Sequence, residues 1–234
     1  RVRKGAHKRM RTEGKSHESE CITHVFGQET SCTRARNGQG FCSSIAFMSI
    51  CLSHNTALSV WRAARASLLP APSISYAAVP EKVVAREVRA LRDSSLSTIV
   101  ALERPHLMVA SQDGKTSRCS VVCHCPIASK APPRLFSINL DVCVVSVEDV
   151  FAQVSLRASV EALMLLAFEL CGSYSLLPDG SFVAAQPLTS VKRLASRVGA
   201  LAPFPGSAKA ATALRYSFDG AASPAEAKLA MLLC

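Results

Sequence analysis

The sequence has few aromatic residues and no long apolar run, and these two absences limit what the chain can be. Aromatic residues make up 6% of the 234 residues, so a core must be built largely from Leu, Val and Ala. No apolar run approaches the roughly 18 residues that a membrane-spanning helix needs. The apolar stretch over 41–52 is short and lies too deep in the chain for an ordinary signal peptide. We therefore expect no contact with a membrane.

The chain is also poor in glycine, with 11 residues, and it lacks the glycine-rich motifs of nucleotide-binding enzymes. Neither a Gly-x-Gly-x-x-Gly fingerprint nor a Walker signature occurs, so no such loop can cradle phosphates with its backbone amides. A Gly-x-Ser-x-Gly elbow is missing as well, and no ordered set of Ser, His and Asp indicates a hydrolytic triad. The sequence therefore predicts neither a nucleotide-binding fold nor a serine hydrolase.

Basic residues outnumber acidic ones, which gives a formal net charge of +10 and a pI of about 9.3. A basic balance favours an acidic partner such as nucleic acid. Half of the excess lies in residues 1–40, which hold nine Lys/Arg and four Asp/Glu and show no hydrophobic period. We predict that this segment is a basic, disordered tail. A solvated tail without function is favoured over an arm that contacts phosphates.

Ten cysteines are scattered through a chain that is too long for a disulfide-stapled miniprotein. Several lie in apolar runs, where Cys behaves as a small hydrophobic residue, so we expect reduced thiols and a cytoplasmic location. The closest cluster of metal-ligating residue types is Cys119-x-x-x-Cys123-His124-Cys125. On a strand His124 would face away from Cys123 and Cys125, and a second such cluster is missing. A structural zinc site is therefore disfavoured, and the sequence assigns no metal ligand here.

Residues 41–100 predict a small helical region. Ser53 or Asn55 can cap a helix that runs through Arg65, because apolar residues follow at helical spacing. His54, at the start of this helix, is interpreted as a local hydrogen-bonding residue rather than as a catalyst.

A second helix in this region is predicted to open at Pro80 and Glu81, with an apolar face and a basic face. The basic face is a candidate nucleic-acid contact, although a solvated helix face is the favoured interpretation. Its members are Arg86, Arg89 and Arg92.

Residues 101–222 predict an α+β domain, with a short mixed or antiparallel sheet flanked by helices. β-branched and apolar runs predict strands over 105–110, 120–124, 135–137 and 138–145. Capping and periodicity predict helices that start at Ser146, span 158–171 with Gly172 as the ending residue, start within 187–194, and span 208–216. A turn is expected at Pro178-Asp179-Gly180. A second basic cluster and candidate nucleic-acid contact is formed by Lys192, Arg193 and Arg197.

The closing segment 223–234 has every signal of a helix start. Ser223 can cap the helix, Pro224 takes its first position, and Glu226 lies three residues after the cap. Capping is the favoured role of Glu226, and the alternative is a carboxylate that helps to hold a divalent metal ion. Because no helix end follows this start, we expect the chain to be C-terminally truncated.

Several short segments, taken in order, resemble a known family. They are Ser53-His54-x-Thr56-Ala57-Leu58-x-x-Trp61-Arg62, Pro105-His106-Leu107-x-Val109, Val144-Val145-Ser146-Val147-Glu148-x-Val150-Phe151, Phe168-Glu169-Leu170-Cys171-Gly172-x-Tyr174, Pro187-Leu188-Thr189-Ser190 and Ala221-Ala222-Ser223-Pro224-x-Glu226. Together they are similar to the N-terminal portion of actinobacterial, Eggerthella-like proteins. In these proteins an AbiEi-like antitoxin region precedes a Vsr-like endonuclease domain of the PD-(D/E)xK class.

This resemblance implies a DNA-directed role in bacterial defence or repair. In such nucleases the first core helix often carries a Glu that helps to hold Mg²⁺, and the motif position would make this Glu226, on the first helix of a truncated domain. The strand Asp and the Glu-x-Lys pair that should follow are missing, and Val147 replaces the family's Pro. We therefore expect a DNA-contacting part without cleavage activity or cofactor of its own, Mg²⁺ belonging to a complete nuclease domain. The alternative is an antitoxin-like module that binds a protein partner and not DNA.

Overall fold

The structure is a computed structural model, and it describes residues 50–100, 102–116, 120–129 and 131–233. Within these residues the strands are β1 (Ile50–Leu52), β2 (Ser73–Ser75), β3 (His106–Met108), β4 (Val122–His124), β5 (Leu135–Ser137), β6 (Val142–Val145), β7 (Tyr174–Leu176) and β8 (Phe182–Ala184). The helices are α1 (His54–Arg65), α2 (Ala85–Arg92), α3 (Leu96–Ile99), α4 (Val147–Val154), α5 (Val160–Cys171), α6 (Val191–Leu201), α7 (Ser207–Arg215) and α8 (Pro224–Leu233). These elements confirm the predicted α+β class. The tail expected over 1–40 lies outside the described residues.

Six strands form one mixed sheet in the order β2-β5-β6-β1-β3-β4, and β7 and β8 form a separate hairpin. The central pair, β1 and β6, is parallel, with Cys51 opposite Cys143. Every residue of both strands is buried. A parallel pair covered on both faces needs continuous apolar runs rather than alternation, which is why the run over 142–145 was recognisable as a strand. The predicted strand over 138–145 is only half right, because Asn139 Oδ1 accepts from the backbone N–H groups of Asp141 and Val142 in a turn that precedes β6.

The helical region expected over 41–100 and the domain expected over 101–222 share this sheet. Strand β1, from the first region, pairs with β3 on one side and β6 on the other. Among the described residues, α8 also packs on α5. The sharing of one sheet by the two regions could not be read from the sequence, because a strand of three residues is too short to carry a periodic signal.

Serine caps begin three helices close to where the sequence places them. Ser146 Oγ accepts from Asp149 N–H at 3.1 Å, and Ser190 Oγ accepts from Arg193 N–H at 3.3 Å. Ser53 precedes α1, as expected, but its hydroxyl makes no cap hydrogen bond. Local hydrogen-bonding chemistry therefore sets the starts of α4 and α6, whereas the start of α1 has no side-chain cap.

Helix α2 starts at Ala85, so the expected start at Pro80 is wrong. Pro80 O accepts from Ala110 N–H at 2.8 Å, and Val83 N–H donates to Gly114 O. A Cβ on Gly114 would lie 1.8 Å from the carbonyl oxygen of Glu81. The segment before α2 is therefore held extended against the loop after β3, where it cannot coil into a helix.

Gly172 ends α5 as predicted, but for a different reason. Its φ of −88° is open to any residue, so no left-handed turn is required. A Cβ at this position would approach the carbonyl oxygens of Phe168 and Ala221 to 2.4 Å. The glycine therefore provides space for the chain that returns before α8.

The β7–β8 hairpin was not predicted, although its turn at Pro178-Asp179-Gly180 was. Gly180 has φ of +84°, a left-handed conformation that favours glycine. The strands on either side have three residues each, too few to show the alternation that identifies a hairpin from sequence.

A buried ion pair joins α4 to α6. Arg197 donates to Asp149 Oδ1 from Nε at 2.9 Å and from Nη2 at 2.7 Å, and Nη2 also donates to Pro132 O. The other carboxylate oxygen accepts from Arg134 N–H and from the Ser146 hydroxyl. Both charged side chains are only 5% exposed, so each depends on the other to compensate for lost hydration.

A second set of ionic contacts joins α1 to α5 and to the hairpin. Arg62 pairs with the buried carboxylate of Glu169 at 2.5 Å. Arg65 donates to the backbone oxygens of Glu169, Gly172 and Gln186. These contacts fix the position of α1 relative to α5 and to the hairpin, which the strand order alone does not determine.

Five cysteines of the described residues are free thiols: Cys51, Cys123, Cys125, Cys143 and Cys171. Among the described residues, none of the helices has the length and apolar character needed to cross a membrane.

Replacing Arg197 by Ala should destabilise the fold by about 3–5 kcal/mol, because it leaves the Asp149 carboxylate buried without a partner. Urea denaturation measures the loss. Lys192→Ala, an exposed change on the same helix, is the matched control and should stay within about 0.5 kcal/mol of the unmodified chain. Equal stability of the two variants would contradict the role of this ion pair.

Candidate functional site

Three histidines from three separate elements meet at one edge of the sheet. His54 begins α1, His106 begins β3, and His124 ends β4. The other three histidines of the chain lie before residue 50, so every histidine from there onward belongs to this cluster. The convergence follows from the sheet, because β1 runs antiparallel to β3 and its end therefore lies beside the start of β3.

One ring nitrogen from each histidine lies within 4.8 Å of the other two. His106 Nδ1 is 2.9 Å from His124 Nε2. The His54 and His124 rings stack with their centroids 3.6 Å apart, and the His106 and His124 centroids are 5.0 Å apart. All three side chains are half-buried. We refer to His54, His106 and His124 as the histidine cluster.

Backbone contacts hold the histidine cluster in place. His54 N–H donates to Gln153 Oε1 at 2.9 Å, which ties the start of α1 to α4. His106 N–H donates to Thr56 Oγ1 at 2.9 Å, and Ser53 N–H donates to His106 O at 3.0 Å. Two of the three histidines are therefore positioned through their main chains, and ring contacts then join His106 to His124 and His54 to Ser53.

His54 adopts a backbone conformation that is unusual for its residue type. Its φ is +51°, in the left-handed region that residues other than glycine seldom adopt. Such conformations cost about 1–2 kcal/mol, and Ser67 and Ser120 also adopt them. The backbone conformation that positions the His54 imidazole therefore lowers the stability of the fold.

Burial lowers the pKa of all three histidines. It lowers the pKa of His54 to about 3, with smaller contributions from the charges that His124 and His106 would carry. It lowers the pKa of His124 to about 4, with His106 as the next cause. The pKa of His106 is also lowered, first by burial and then by the charges of Arg157 and Arg104. At neutral pH the rings are therefore uncharged, and each has one nitrogen lone pair available.

The histidine cluster opens into a cavity of about 340 Å³, which we call the histidine cavity. Its other lining residues are Asn55, Gln153, Val154, Leu156, Arg157 and Ala158. An adjoining cavity of about 430 Å³ shares His54 and His124 and is also lined by Lys115. Among the described residues, no Asp or Glu lines either cavity. The surroundings of the cluster are therefore basic and apolar.

The first basic cluster from the sequence is only partly available for an external ligand. Arg86 and Arg89 are exposed on α2. Arg92 is half-buried and donates to the backbone oxygens of Leu102, Glu103 and Ser120. Its assignment as a nucleic-acid contact is therefore corrected, since its guanidinium stabilises the loop around β3.

The residues of the second basic cluster also differ in their exposure to solvent. Lys192 is exposed, and Arg193 is 60% exposed and pairs with Glu148 at 3.0 Å. Arg197 is buried in its ion pair with Asp149. Its assignment as a nucleic-acid contact is therefore also corrected, because a phosphate cannot reach it. The sequence alone could not separate these three residues, since the partner of Arg197 lies 48 positions earlier.

Glu226 caps α8. Its carboxylate accepts from Ala222 N–H at 2.7 Å, and its own N–H donates to Ser223 Oγ at 3.2 Å. This confirms the favoured capping role, with the reach extending one residue further back than expected. Within the described residues, Glu226 does not belong to any metal-sized group of His, Cys, Asp or Glu side chains.

The cysteine cluster considered from sequence does not assemble among the described residues. Cys119 lies outside them. The Cys123 thiol donates to Thr116 O at 3.6 Å, while the neighbouring His124 ring turns toward His106. The strand alternation that argued against a Cys-His-Cys site is thus what frees His124 for the histidine cluster.

Sequence reasoning missed the histidine cluster because its members are separated by 52 and 18 positions and form no local motif. One signal was present: each of the three histidines lies at a predicted helix start or in a predicted strand. Comparison of the chain with protein-family models, curated proteins and solved structures gives no match. The resemblance to AbiEi-like and Vsr-like proteins therefore stays a prediction from the sequence.

Without metal, the stability of the chain should fall as pH falls from about 6.5 toward 4. The lowered pKa values of His54 and His124 mean that the unfolded chain binds more protons over this range, which favours unfolding. Urea denaturation in the presence of a chelator should show a smaller decline for His124→Gln. The difference between the two chains removes the contribution of the carboxylates. Identical pH slopes would contradict the lowered pKa.

The left-handed backbone at His54 can be tested with two small residues. We expect His54→Gly to be more stable than His54→Ala by about 1 kcal/mol, the reverse of the usual order in helices, because Gly adopts positive φ without steric cost. Urea denaturation of the two variants measures this. An Ala variant as stable as the Gly variant would contradict the assigned conformation.

Proposed function

We propose that this chain binds a divalent transition-metal ion, zinc in the first instance, through His54, His106 and His124. The main support for this proposal is that one nitrogen from each ring lies within 4.8 Å of the others. In a tetrahedral zinc site, with Zn–N distances of about 2.0–2.1 Å, two ligand nitrogens are about 3.3 Å apart. The rings of His54 and His106 are stacked on that of His124 with interplanar angles of 21° and 9°, so metal binding would require the side chains to rotate until their lone pairs meet at one ion.

The type of ligand selects the metal. Imidazole nitrogens suit zinc, copper, nickel and iron, whereas Mg²⁺ and Ca²⁺ require mainly oxygen ligands. Among the described residues no carboxylate lines the histidine cavity. The proposal therefore differs from the resemblance to PD-(D/E)xK nucleases, which implies Mg²⁺ and only in a complete nuclease domain.

Two features prepare the histidine cluster for a metal ion. Its rings are uncharged at neutral pH, so protons compete weakly with the ion for the nitrogen lone pairs. Ser53 Oγ lies 3.2 Å from His54 Nδ1, which orients that ring and leaves Nε2 for the metal. Such outer contacts are the usual support of histidine ligands in metal sites.

Three histidines leave one tetrahedral position for water or substrate, and this is the arrangement of catalytic rather than structural zinc sites. A zinc ion held in this way would lower the pKa of its water or polarise a bound oxygen. The open position would face the histidine cavity. We therefore propose a metal-dependent hydrolytic type of site rather than a structural one.

DNA contact stays a prediction from the sequence. Of the residues predicted for it, Arg86, Arg89 and Lys192 are exposed, and Arg193 is exposed but paired with Glu148. An antitoxin-like interaction with a protein partner stays a prediction in the same way.

Substitution of any one ligand should weaken metal binding at least about 100-fold, because even outer contacts of a metal site are worth 10–100-fold. The full chain, freed of metal with a chelator, is titrated with Co²⁺ while its visible d–d absorption is recorded. We expect one equivalent to bind, and tight binding to be lost in His106→Ala and His124→Ala.

The matched control replaces the other three histidines of the chain, His7, His17 and His24, by Ala and should leave the titration unchanged. Loss of the absorption in this control, together with normal binding in the two cluster variants, would overturn the proposal.

A further inference from the structure

We infer that the histidine cavity takes a small phosphate-bearing anion, inorganic phosphate or a phosphomonoester, held between the cluster-bound metal and the guanidinium of Arg157. This inference rests on the proposed metal site and names the class of ligand that would occupy its open position.

Arg157 provides the first part of the argument. It lines the histidine cavity together with all three histidines, and its side chain is exposed. In the part of the chain that the structure describes, its guanidinium makes no hydrogen bond or ion pair. Arg62, Arg65 and Arg197 are all committed to protein acceptors. Arg157 is therefore a cation at the cavity that can still take an external partner.

The charge balance around the cavity provides the second part. Lys115 lines the adjoining cavity with His54 and His124, and Arg157 lines the histidine cavity, so a cation borders the histidine cluster in each of the two cavities. Neither residue is matched by a carboxylate that lines the two cavities in the described part of the chain. With a divalent metal held by three uncharged rings, this environment favours an anionic ligand at the open position.

The chemistry of the donors selects phosphate. A guanidinium binds two oxygens of one phosphate through parallel N–H donors, and the remaining oxygens are free to coordinate a metal. A dianion compensates the metal charge and still attracts Arg157. A carboxylate has two oxygens to share between the metal and the guanidinium, whereas a phosphate has separate oxygens for each and carries more negative charge.

The size and lining of the cavity limit the ligand. About 340 Å³ is at the low end for small-molecule sites. Val154, Leu156 and Ala158 form an apolar wall beside the histidines, which suits a small organic group esterified to the phosphate. We therefore assign the site to a small phosphate compound rather than to a nucleic acid.

The test uses the full chain loaded with Co²⁺, whose d–d absorption reports on the open coordination position. Inorganic phosphate and phenyl phosphate are titrated separately, and each should shift the spectrum. In Arg157→Gln both should bind at least about 10-fold more weakly, while Co²⁺ itself binds as before. Arg89→Gln, an exposed arginine on α2 with the same change of charge, is the matched control and should behave like the unmodified chain.

The outcomes separate the two proposals. If Co²⁺ does not bind to the histidine cluster, the proposed metal site is wrong and this inference falls with it. If Co²⁺ binds but phosphate affinity is the same in Arg157→Gln, the metal site stands and the inference is overturned. Binding of inorganic phosphate alone, with loss in Arg157→Gln, supports the inference and identifies the free ion as the ligand. A single-stranded oligonucleotide that displaces phenyl phosphate at lower concentration would overturn the assignment to a small ligand.

Discussion

The parallel pairing of β1 with β6 is the constraint on which the rest of the structure depends. Both strands are buried throughout and end at the same edge of the sheet, so α1 and α4 start side by side at Ser53 and Ser146. The two helices then pack together, and Trp61 on α1 donates to Val145 O at the end of β6. Shifting either strand by one residue would move each of its side chains to the opposite face of the sheet and separate these contacts.

The histidine cluster is a consequence of this arrangement at the end of β1. The chain leaves β1 and places His54 one residue later, against Gln153 of α4 and beside the start of β3. Uncharged, half-buried imidazoles and a left-handed φ at His54 both cost stability. Asp149 and Gln153 are four residues apart on α4 and share a face of this helix, so the ion pair of Arg197 with Asp149 fixes the helix that holds His54 through Gln153.

Part of the fold was predictable because its signals are local. The cap at Ser146 and the β-branched run of β6 depend on neighbours within a few positions, and both were read correctly. Strand order was not predictable, since three-residue strands carry too little pattern to specify a register. The same limit explains the site. Arg197 was taken for a surface residue because its partner lies on another helix, and His54 was taken for a local hydrogen-bonding residue because His106 and His124 approach it only in the folded sheet.

The central claim is that three histidine nitrogens form a single metal site. X-ray absorption at the zinc edge of the zinc-loaded full chain tests it most directly, because ligand type and distance are measured at the ion itself. The account predicts three imidazole nitrogens at about 2.0–2.1 Å with a further light atom completing the shell. A shell containing sulfur at about 2.3 Å would instead indicate the cysteines around His124. That result, or a shell with fewer than two imidazoles, would contradict the account.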